Sequence, residues 1–470
     1  MTEAPDAGSR PSAWAIVREA LRGSHQDFTR GDIGRAVVLL AIPMVLEMVM
    51  ESVFAVTDMF FVSRLGADAV AAVGLTESML ALIYAMAMGV AVAVTAIVAR
   101  RIGEHQPAEA AHSAAQGIVL GAAIALVLGV TGALAAPRLL ALMGASPGVT
   151  ATGGNYTRVI LGGEVTVILL FVLNGAFRGA GDPSIAMRVL WIANGINIVL
   201  GPCLIFGVGP FPRLGVTGAA VATTIGRGTG ALIAFLTMIR PGHRLRVRLR
   251  HFAVDRHVLR HLVALASTAS LQFLIGTASW IGLARLLATF GSEAVAGYTV
   301  ALRVVIFAIL PAWGLSNAAA TMVGQALGAA EPRRAEQATW TACRYNAVFL
   351  TALGLVFVAA APAIAGIFGN DPVMTRYAAR CLRIVAIGFP LYAFGMVLTQ
   401  AFNGAGDTWT PTWLNFVIFW CWEIPLAWLL AHGAGLGPDG AFMAIAIAFS
   451  TLAVGSTLVF RRGRWKLRTV

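Results

Sequence analysis

Twelve apolar stretches, separated by short polar links, follow one another along most of the sequence. Each is long enough to cross a bilayer as a helix, which takes about 20 residues. Because lipid leaves no water to satisfy backbone polar groups, such a chain is predicted to be an all-α polytopic membrane protein. The stretches cover residues 36–62, 70–98, 113–135, 151–177, 185–206, 215–239, 261–290, 294–325, 341–367, 375–402, 411–432 and 439–460.

The composition agrees with this class and excludes several functions. Of 470 residues, 58% are hydrophobic and 12% charged, and the mean hydropathy is +0.79. The net charge of +12 does not indicate nucleic-acid binding, because the basic residues are spread over separate links. The four cysteines have no ligand-like spacing, so we expect neither a disulfide framework nor a zinc site. We expect no cofactor.

Arginine is concentrated in alternate links, which predicts the orientation. The N-terminal segment 1–35, the linker 240–260 and the tail 461–470 are all basic. By the positive-inside rule, these segments and both termini are expected in the cytoplasm of a multi-pass protein of the plasma (inner) membrane. We expect no removable signal peptide in the first segment, where Trp14 and Leu21 suit either a short amphipathic helix on the membrane surface or an unstructured tail. We expect a monomer.

The second half of the sequence repeats the first half in a constant register. GADAVAAVGL at 66–75 resembles GSEAVAGYTV at 291–300, and AFRGAGD at 176–182 resembles AFNGAGD at 401–407. The members of both pairs are separated by the same number of residues along the sequence. One register held over so long a stretch predicts two pseudo-symmetric lobes with a cavity between them. The predicted N-lobe and C-lobe, of six helices each, cover residues 36–239 and 261–460.

The first apolar stretch carries three acidic residues. Glu47, Glu51 and Asp58 fall within roughly 40° of one helical face. Ionisable residues inside a membrane helix are costly, so these carboxylates are predicted to face a water-filled cavity or a partner. Glu164 of the fourth stretch is a further N-lobe acid. In the register of the repeat, the C-lobe carries only uncharged counterparts of these acids, namely Gln272, Gly276, Leu283 and Phe389.

Two asparagines add polar groups to the same lobe. Asn174 lies in the fourth stretch and Asn197 in the fifth. Their amides could serve either as interhelical hydrogen bonds or as oxygen ligands beside the acids. No HExxH, P-loop or GxSxG motif occurs, so the chain is predicted not to be an enzyme and to draw energy from an ion gradient.

Several longer motifs resemble the multidrug and toxic compound extrusion (MATE) family over residues 33–460. They are IPMVLEMVMESVFAVTDMFFVSRLG, VARRIGEHQPAEA, FRGAGDPSIAM, NIVLGPCLIFG and NGAGDTWTPTWLN. The resemblance implies twelve helices in two lobes, alternating access, and export of bulky cationic amphipathic compounds against inflow of H+ or Na+.

The resemblance carries over to individual residues only in part. Asp58, in AVTDMFF, is similar to the first-helix aspartate that the family uses for cation coupling, and Asn197 to the asparagine of its NIxLD pattern. The aspartate of that pattern is replaced by Gly201. The acids that the sodium-coupled branch carries in its seventh and tenth helices are replaced by Gly276 and Tyr392.

The sequence therefore predicts secondary active multidrug efflux, with organic cations as substrates and H+ as the coupling ion. Na+ at Asp58 and Asn197 is the alternative ion. The residues assigned to cation coupling are Asp58, Glu51, Glu47, Asn197, Asn174 and Glu164. The residues assigned to the substrate cavity are Gln272, Trp280, Tyr392, Gln400 and Met48.

Two other functions remain open at this point. A flippase for lipid-linked substrates would need a basic central cavity, to which Arg285 and Arg303 could contribute. An intramembrane enzyme would need a convergent nucleophile and base, and the sequence offers no such pattern.

Overall fold

The computed structural model describes residues 12–23, 26–242, 244–368 and 371–468. Within these ranges the chain is almost wholly helical and forms no β-strand. The predicted all-α fold class is confirmed. Residues 1–11 of the predicted N-terminal segment lie outside the described residues.

Among the described residues, eleven helical segments are long and apolar enough to span a membrane, and a bent pair supplies the twelfth. We label these segments α1 to α12. Most of them extend beyond the apolar stretches, because polar residues continue each helix at its ends. Their bounds are α1 Ile33–Ser63, α2 Ala67–Gly103, α3 Pro107–Leu142, α4 Pro147–Gly162 with Glu164–Gly179, α5 Pro183–Phe206, α6 Val216–Ile239, α7 Arg256–Leu287, α8 Ser292–Gly328, α9 Pro332–Gly366, α10 Pro372–Ile387 with Phe389–Gly404, α11 Trp409–Gly433 and α12 Pro438–Arg461.

The internal repeat is visible in the backbone. His105 and Ala330 are the only non-glycine residues with positive φ in the described chain, at 57° and 58°. A similar indole contact joins α5 to α1 and α11 to α7, displaced by about one helical turn relative to the repeat: Trp191 Nε1 donates to the carbonyl of Leu46 at 3.1 Å, and Trp420 Nε1 to that of Ile275 at 3.0 Å. The two pseudo-symmetric lobes are thus formed by α1–α6 and α7–α12.

A glycine interrupts α4 and α10 at corresponding positions. Gly163 separates the parts of α4, and Gly388 those of α10, which meet at 63°. A Cβ on Gly388 would lie only 3.0 Å from the Ala446 backbone of α12, so a side chain would obstruct the close packing at the bend. Glu164 and Phe389 begin the second part of their helices directly after these breaks.

Helix α11 differs from its counterpart α5 in its winding. It is π-helical over Phe416–Glu423 and Leu429–Gly433, whereas α5 is a regular α-helix. Each π-turn takes up one more residue than an α-turn, so the side chains beyond Asn415 are rotated relative to those of α5. Such segments are frequent at functional sites.

The lobes interlock at the end of the bundle where both termini lie, which we call the termini end. The start of α1 packs into a cluster with α8, α9 and α10, through Val37 and Leu40. The start of α7 packs reciprocally into the N-lobe core through Leu262 and Ala266. Each lobe therefore anchors the first helix of the other.

Small residues let the lobes approach closely here. A Cβ on Gly103 of α2 would lie 2.0 Å from the Gln325 carbonyl oxygen of α8. Nearer the middle of the bundle, one on Gly314 of α8 would lie 2.4 Å from the Met44 carbonyl oxygen of α1. Helix backbones are in direct contact, and the interface is closed at the termini end.

The chain ends dock on the same surface. The predicted amphipathic helix is present at Ala13–Arg22, with Trp14 exposed. Arg334 of α9 donates to the carbonyls of Phe28 at 2.9 Å and Gly31 at 2.8 Å. In the tail, Arg468 pairs with Asp407 at 3.2 Å.

The basic linker is held against α3. Gln116 Nε2 donates to the carbonyls of His251 and Ala253, each at 2.8 Å. His112 Nε2 lies 3.1 Å from Asp255 Oδ2, and this hydrogen bond lowers the pKa of the Asp255 carboxyl below its usual value. The linker thereby joins the N-lobe to the first turn of α7.

Candidate functional site

The acids of α1 face the interior of the N-lobe. Glu47 is buried, and Glu51 and Asp58 are half-buried. Glu47 and Glu51 line a cavity of about 160 Å³ together with Tyr84 of α2. We call this space the N-lobe cavity. The stripe predicted from helical periodicity therefore points inward over its first turns.

An arginine from α4 lies opposite Glu47. Arg178 Nη1 is 3.6 Å from Glu47 Oε1, and Asn174 Nδ2 donates to the same oxygen at 3.3 Å. Glu47 Oε2 has no hydrogen-bond partner within the described residues. Glu47 Oε1 thus faces a positive charge and accepts a hydrogen bond, whereas Oε2 is unsatisfied.

A second arginine, from α6, pairs with Glu51. Arg227 Nη2 lies 2.5 Å from Glu51 Oε1, while Asn194 Nδ2 donates to Glu51 Oε2 at 3.1 Å. The guanidinium also lies over the Phe54 ring, 5.1 Å from its centroid. Arg227 is buried and Glu51 is partly exposed, so the pair is only partly shielded from bulk water.

Two further acids lie in the electrostatic field of Arg227 without an ion pair of their own. Asp58 interacts with Glu77 and Arg227, and it has no hydrogen-bond partner in the described chain. Glu164 is buried at the α4 break and also feels Arg227, but its Oε2 is unpartnered among the described residues. Across the lobe interface, Arg303 attracts Glu77.

Asn197 forms its hydrogen bond with α6 and not with the acids of α1. Its Nδ2 donates to Thr223 Oγ1 of α6 at 2.7 Å. In the part of the chain that the structure describes, no hydrogen bond joins Asn197 to Asp58, the other residue of the predicted sodium site. A Cβ on Gly201 would lie 3.8 Å from Asn197 Oδ1, so a family-type aspartate there would have met this asparagine.

The predicted substrate residues divide between two spaces. Gln272, Trp280, Tyr392 and Gln400 line a second cavity of about 200 Å³, which we call the C-lobe cavity. Met48 lines the N-lobe cavity instead. Trp313 and Leu310 of α8 line both cavities and together form the partition between them.

Sequence reasoning missed the two arginines and the partition. Arg227 is the only charged residue between 215 and 239. A lone charge inside a membrane helix indicates a functional site, so the signal was available. Arg178 lies in the AFRGAGD motif, which indicates the repeat rather than a site, and no local pattern distinguishes Trp313 from a packing residue.

Comparison with known proteins identifies the family. The MatE family model matches residues 43–203 and 265–429, one segment in each lobe. The chain belongs to the MatE family. Its members are transporters, so the protein is a multi-pass membrane transporter and not an enzyme.

Relatives within the MatE family cover nearly the whole chain. The chain is 26% identical to the probable multidrug resistance protein YoeA of Bacillus subtilis, over 90% of this chain and 93% of YoeA. It is 25% identical to the probable multidrug resistance protein NorM of Thermotoga maritima, over 93% and 94%. These MatE relatives support efflux transport of small molecules.

A solved MatE-like structure has the same fold. A MOP superfamily transporter from Pyrococcus furiosus, described as having a binding pocket of reverse polarity, superposes with a TM-score of 0.88 at 27% identity. The match covers 96% of this chain and 99% of that one.

Proposed function

We propose that the protein exports cationic amphipathic compounds by antiport with protons. The observation that carries the proposal is an excess of carboxylates around Arg227. Glu47, Glu51, Asp58 and Glu164 all interact electrostatically with it. Arg227 and Arg178 can neutralise only two of these four acids when all are ionised, which leaves negative charge for a proton or an organic cation.

Arg227 is the group through which these acids would communicate. While Asp58 is ionised, Arg227 is shared between Glu51 and Asp58. Protonation of Asp58 removes its attraction for Arg227, so Arg227 then interacts with Glu51. Since charges in this low-dielectric space interact strongly, a bound organic cation and a proton on Asp58 would disfavour each other. Such mutual exclusion is the requirement for antiport.

Alternating access would use the closed interface at the termini end. The arginine-rich linker and termini support a cytoplasmic location for this end in the plasma membrane. The present arrangement then corresponds to a state closed toward the cytoplasm. Opening would separate α1 and α2 from α8, where backbones now touch at Gly103 and Gly314.

Sodium remains the alternative coupling ion, although Gly201 removes one carboxylate that the family pattern supplies. A flippase for anionic lipid-linked substrates has less support, because Arg178 and Arg227 are already paired with glutamates. Neither guanidinium is free to receive a phosphate.

The decisive experiment uses proteoliposomes with an imposed pH gradient and, separately, an imposed Na+ gradient. Under the proton gradient, Asp58→Asn should reduce transport of a fluorescent organic cation such as ethidium to the level of protein-free vesicles. Glu423→Gln is the matched control, because Glu423 is a buried carboxylate of the opposite lobe. Full proton-driven transport by Asp58→Asn would refute the proposed coupling site.

A further inference from the structure

The C-lobe cavity is the pseudo-symmetric copy of the N-lobe cavity, but its chemistry is different. In the register of the repeat, Glu47 corresponds to Gln272 and Glu51 to Gly276; in the last helix of each lobe, where GVTGAA at 215–220 matches GPDGAF at 437–442, Arg227 corresponds to Phe449. All six of these residues line their respective cavities. None of the described residues that line the C-lobe cavity is charged.

Aromatic rings line the C-lobe cavity, whereas charged groups line the N-lobe cavity. Trp280 and Trp313 line the C-lobe cavity, and Tyr392 stacks on Phe449 with ring centroids 3.8 Å apart. Phe419 enters it from the π-helical part of α11. Flat apolar walls of this kind favour a planar ring, because aromatic faces stack in offset or edge-to-face geometries.

Two primary amides in this cavity are unsatisfied. Gln272 and Asn415 are 5% and 8% exposed, and both line the cavity. Gln272 Oε1 and Asn415 Oδ1 have no hydrogen-bond partner in the described chain. A buried polar atom without a partner is costly, so these oxygens favour a ligand that brings a donor.

We propose that the C-lobe cavity binds an uncharged, planar heteroaromatic compound whose ring edge carries an N–H donor beside a carbonyl acceptor. A lactam edge of this type can donate to an amide oxygen and accept from an amide nitrogen of Gln272 or Asn415. The proposal rests on the proposed function in taking this cavity as part of the transport pathway, but it assigns a neutral class of substrate beside the cations.

Cavity size agrees with a small fused ring. A cavity of about 150 Å³ in another protein accepts benzene, and the C-lobe cavity has about 200 Å³. Gly276 contributes to this space, since a Cβ added there would meet no atom within 4 Å. A larger residue at 276 would therefore fill the cavity without disturbing the backbone.

Three probes of nearly equal shape test the proposal. 2-Quinolone is neutral with a lactam edge, N-methyl-2-quinolone lacks the N–H donor, and N-methylquinolinium is a cation. Binding is measured by isothermal titration calorimetry on the full chain in lipid nanodiscs, with empty nanodiscs as the blank. 2-Quinolone should bind about tenfold more tightly than its N-methyl derivative, as expected for one hydrogen bond in a desolvated pocket.

Matched variants locate the site. Gln272→Leu should weaken 2-quinolone binding about tenfold, whereas Glu47→Gln, at the corresponding N-lobe position, should leave it unchanged. Gly276→Leu should abolish binding. Gly195→Leu is its control, because a Cβ there also meets nothing within 4 Å. Equal affinity of 2-quinolone for the wild type, Gln272→Leu and Gly276→Leu would overturn the proposal, as would no binding to the wild type.

The experiments can contradict the C-lobe binding site and the proton-coupling mechanism independently of each other. 2-Quinolone binding should survive Asp58→Asn, which is predicted to stop proton-driven transport. If the wild type does not bind 2-quinolone but shows Asp58-dependent ethidium transport, only the C-lobe assignment is contradicted. Bound 2-quinolone together with normal transport by Asp58→Asn would contradict only the coupling mechanism.

Discussion

At the scale of single residues, the ion pairs of Glu47 and Glu51 define the N-lobe. A pair of charges inside a membrane protein is costly to assemble and more costly to break, because removing one partner leaves the other uncompensated. Breaking the pair of Arg227 with Glu51 should be the more costly of the two, because Arg227 is buried and lies 2.5 Å from Glu51.

Arg227→Met should therefore lower the stability of the purified protein by about 2 kcal/mol, discounted from the fully buried case because Glu51 is partly exposed. The double substitution Arg227→Met with Glu51→Met should recover much of this loss, since no charge is then left alone. Thermal unfolding in detergent measures both effects as a double-mutant cycle. If the double variant were no more stable than the single one, the pair would not be the source of the stability.

The identity of the acids could be predicted from the sequence, whereas their partners could not. Glu47 and Glu51 are conspicuous because charges are rare in apolar stretches. Arg178 and Arg227 are just as visible by type, but they lie in other helices, and their rotation toward α1 depends on packing. Helical periodicity places residues on a face of their own helix and does not say which helix that face meets.

At the scale of helices, glycine contacts control how closely the lobes can approach. A Cβ on Gly103 would meet the backbone of Gln325, so no rotamer change can relieve an added side chain. The closed arrangement thus depends on a residue without a Cβ in α2.

Gly103→Leu should destabilise the closed termini end and favour an arrangement open there. Gly74→Leu, in the same helix, is the control, because a Cβ at Gly74 meets nothing within 4 Å. The readout is the rate at which a hydrophilic maleimide modifies a cysteine replacing Asn317, which lines the narrow space between the lobes, with the native cysteines removed. Equal rates in both glycine variants would show that this contact does not control access.

The breaks and π-turns were beyond sequence reasoning at this same scale. Gly163 and Gly388 lie within apolar stretches that are predicted as continuous helices, and their close contacts with α6 and α12 depend on the finished packing. The π-helical winding of α11 likewise leaves no local pattern, although it helps to position Phe419 beside the C-lobe cavity.

At the scale of the whole molecule, the twelve helices and the two lobes could be predicted because both signals are contained in the chain itself. Apolar length specifies the spans, and self-similarity between the two halves specifies the lobes. The exchange of first helices between lobes could not be predicted, because it depends on how the finished lobes meet.

Orientation is the remaining whole-molecule prediction. In intact cells, a membrane-impermeant maleimide should label a cysteine replacing Ser146, in the link between α3 and α4, but not one replacing Arg250 in the basic linker. The two links lie at opposite ends of the bundle. Labelling of Arg250→Cys from outside, without prior permeabilisation, would reverse the assigned orientation.

The shared left-handed conformation of His105 and Ala330 has a consequence for ancestry. Neither residue is glycine, and the two differ in chemistry, yet the backbone has kept one conformation at both places. One backbone conformation under two different side chains is what duplication of a six-helix unit predicts, because the helix ends keep their geometry while side chains change. If the halves descend from such a unit, the charged N-lobe cavity and the uncharged C-lobe cavity differ through exchange of a few side chains on a common backbone.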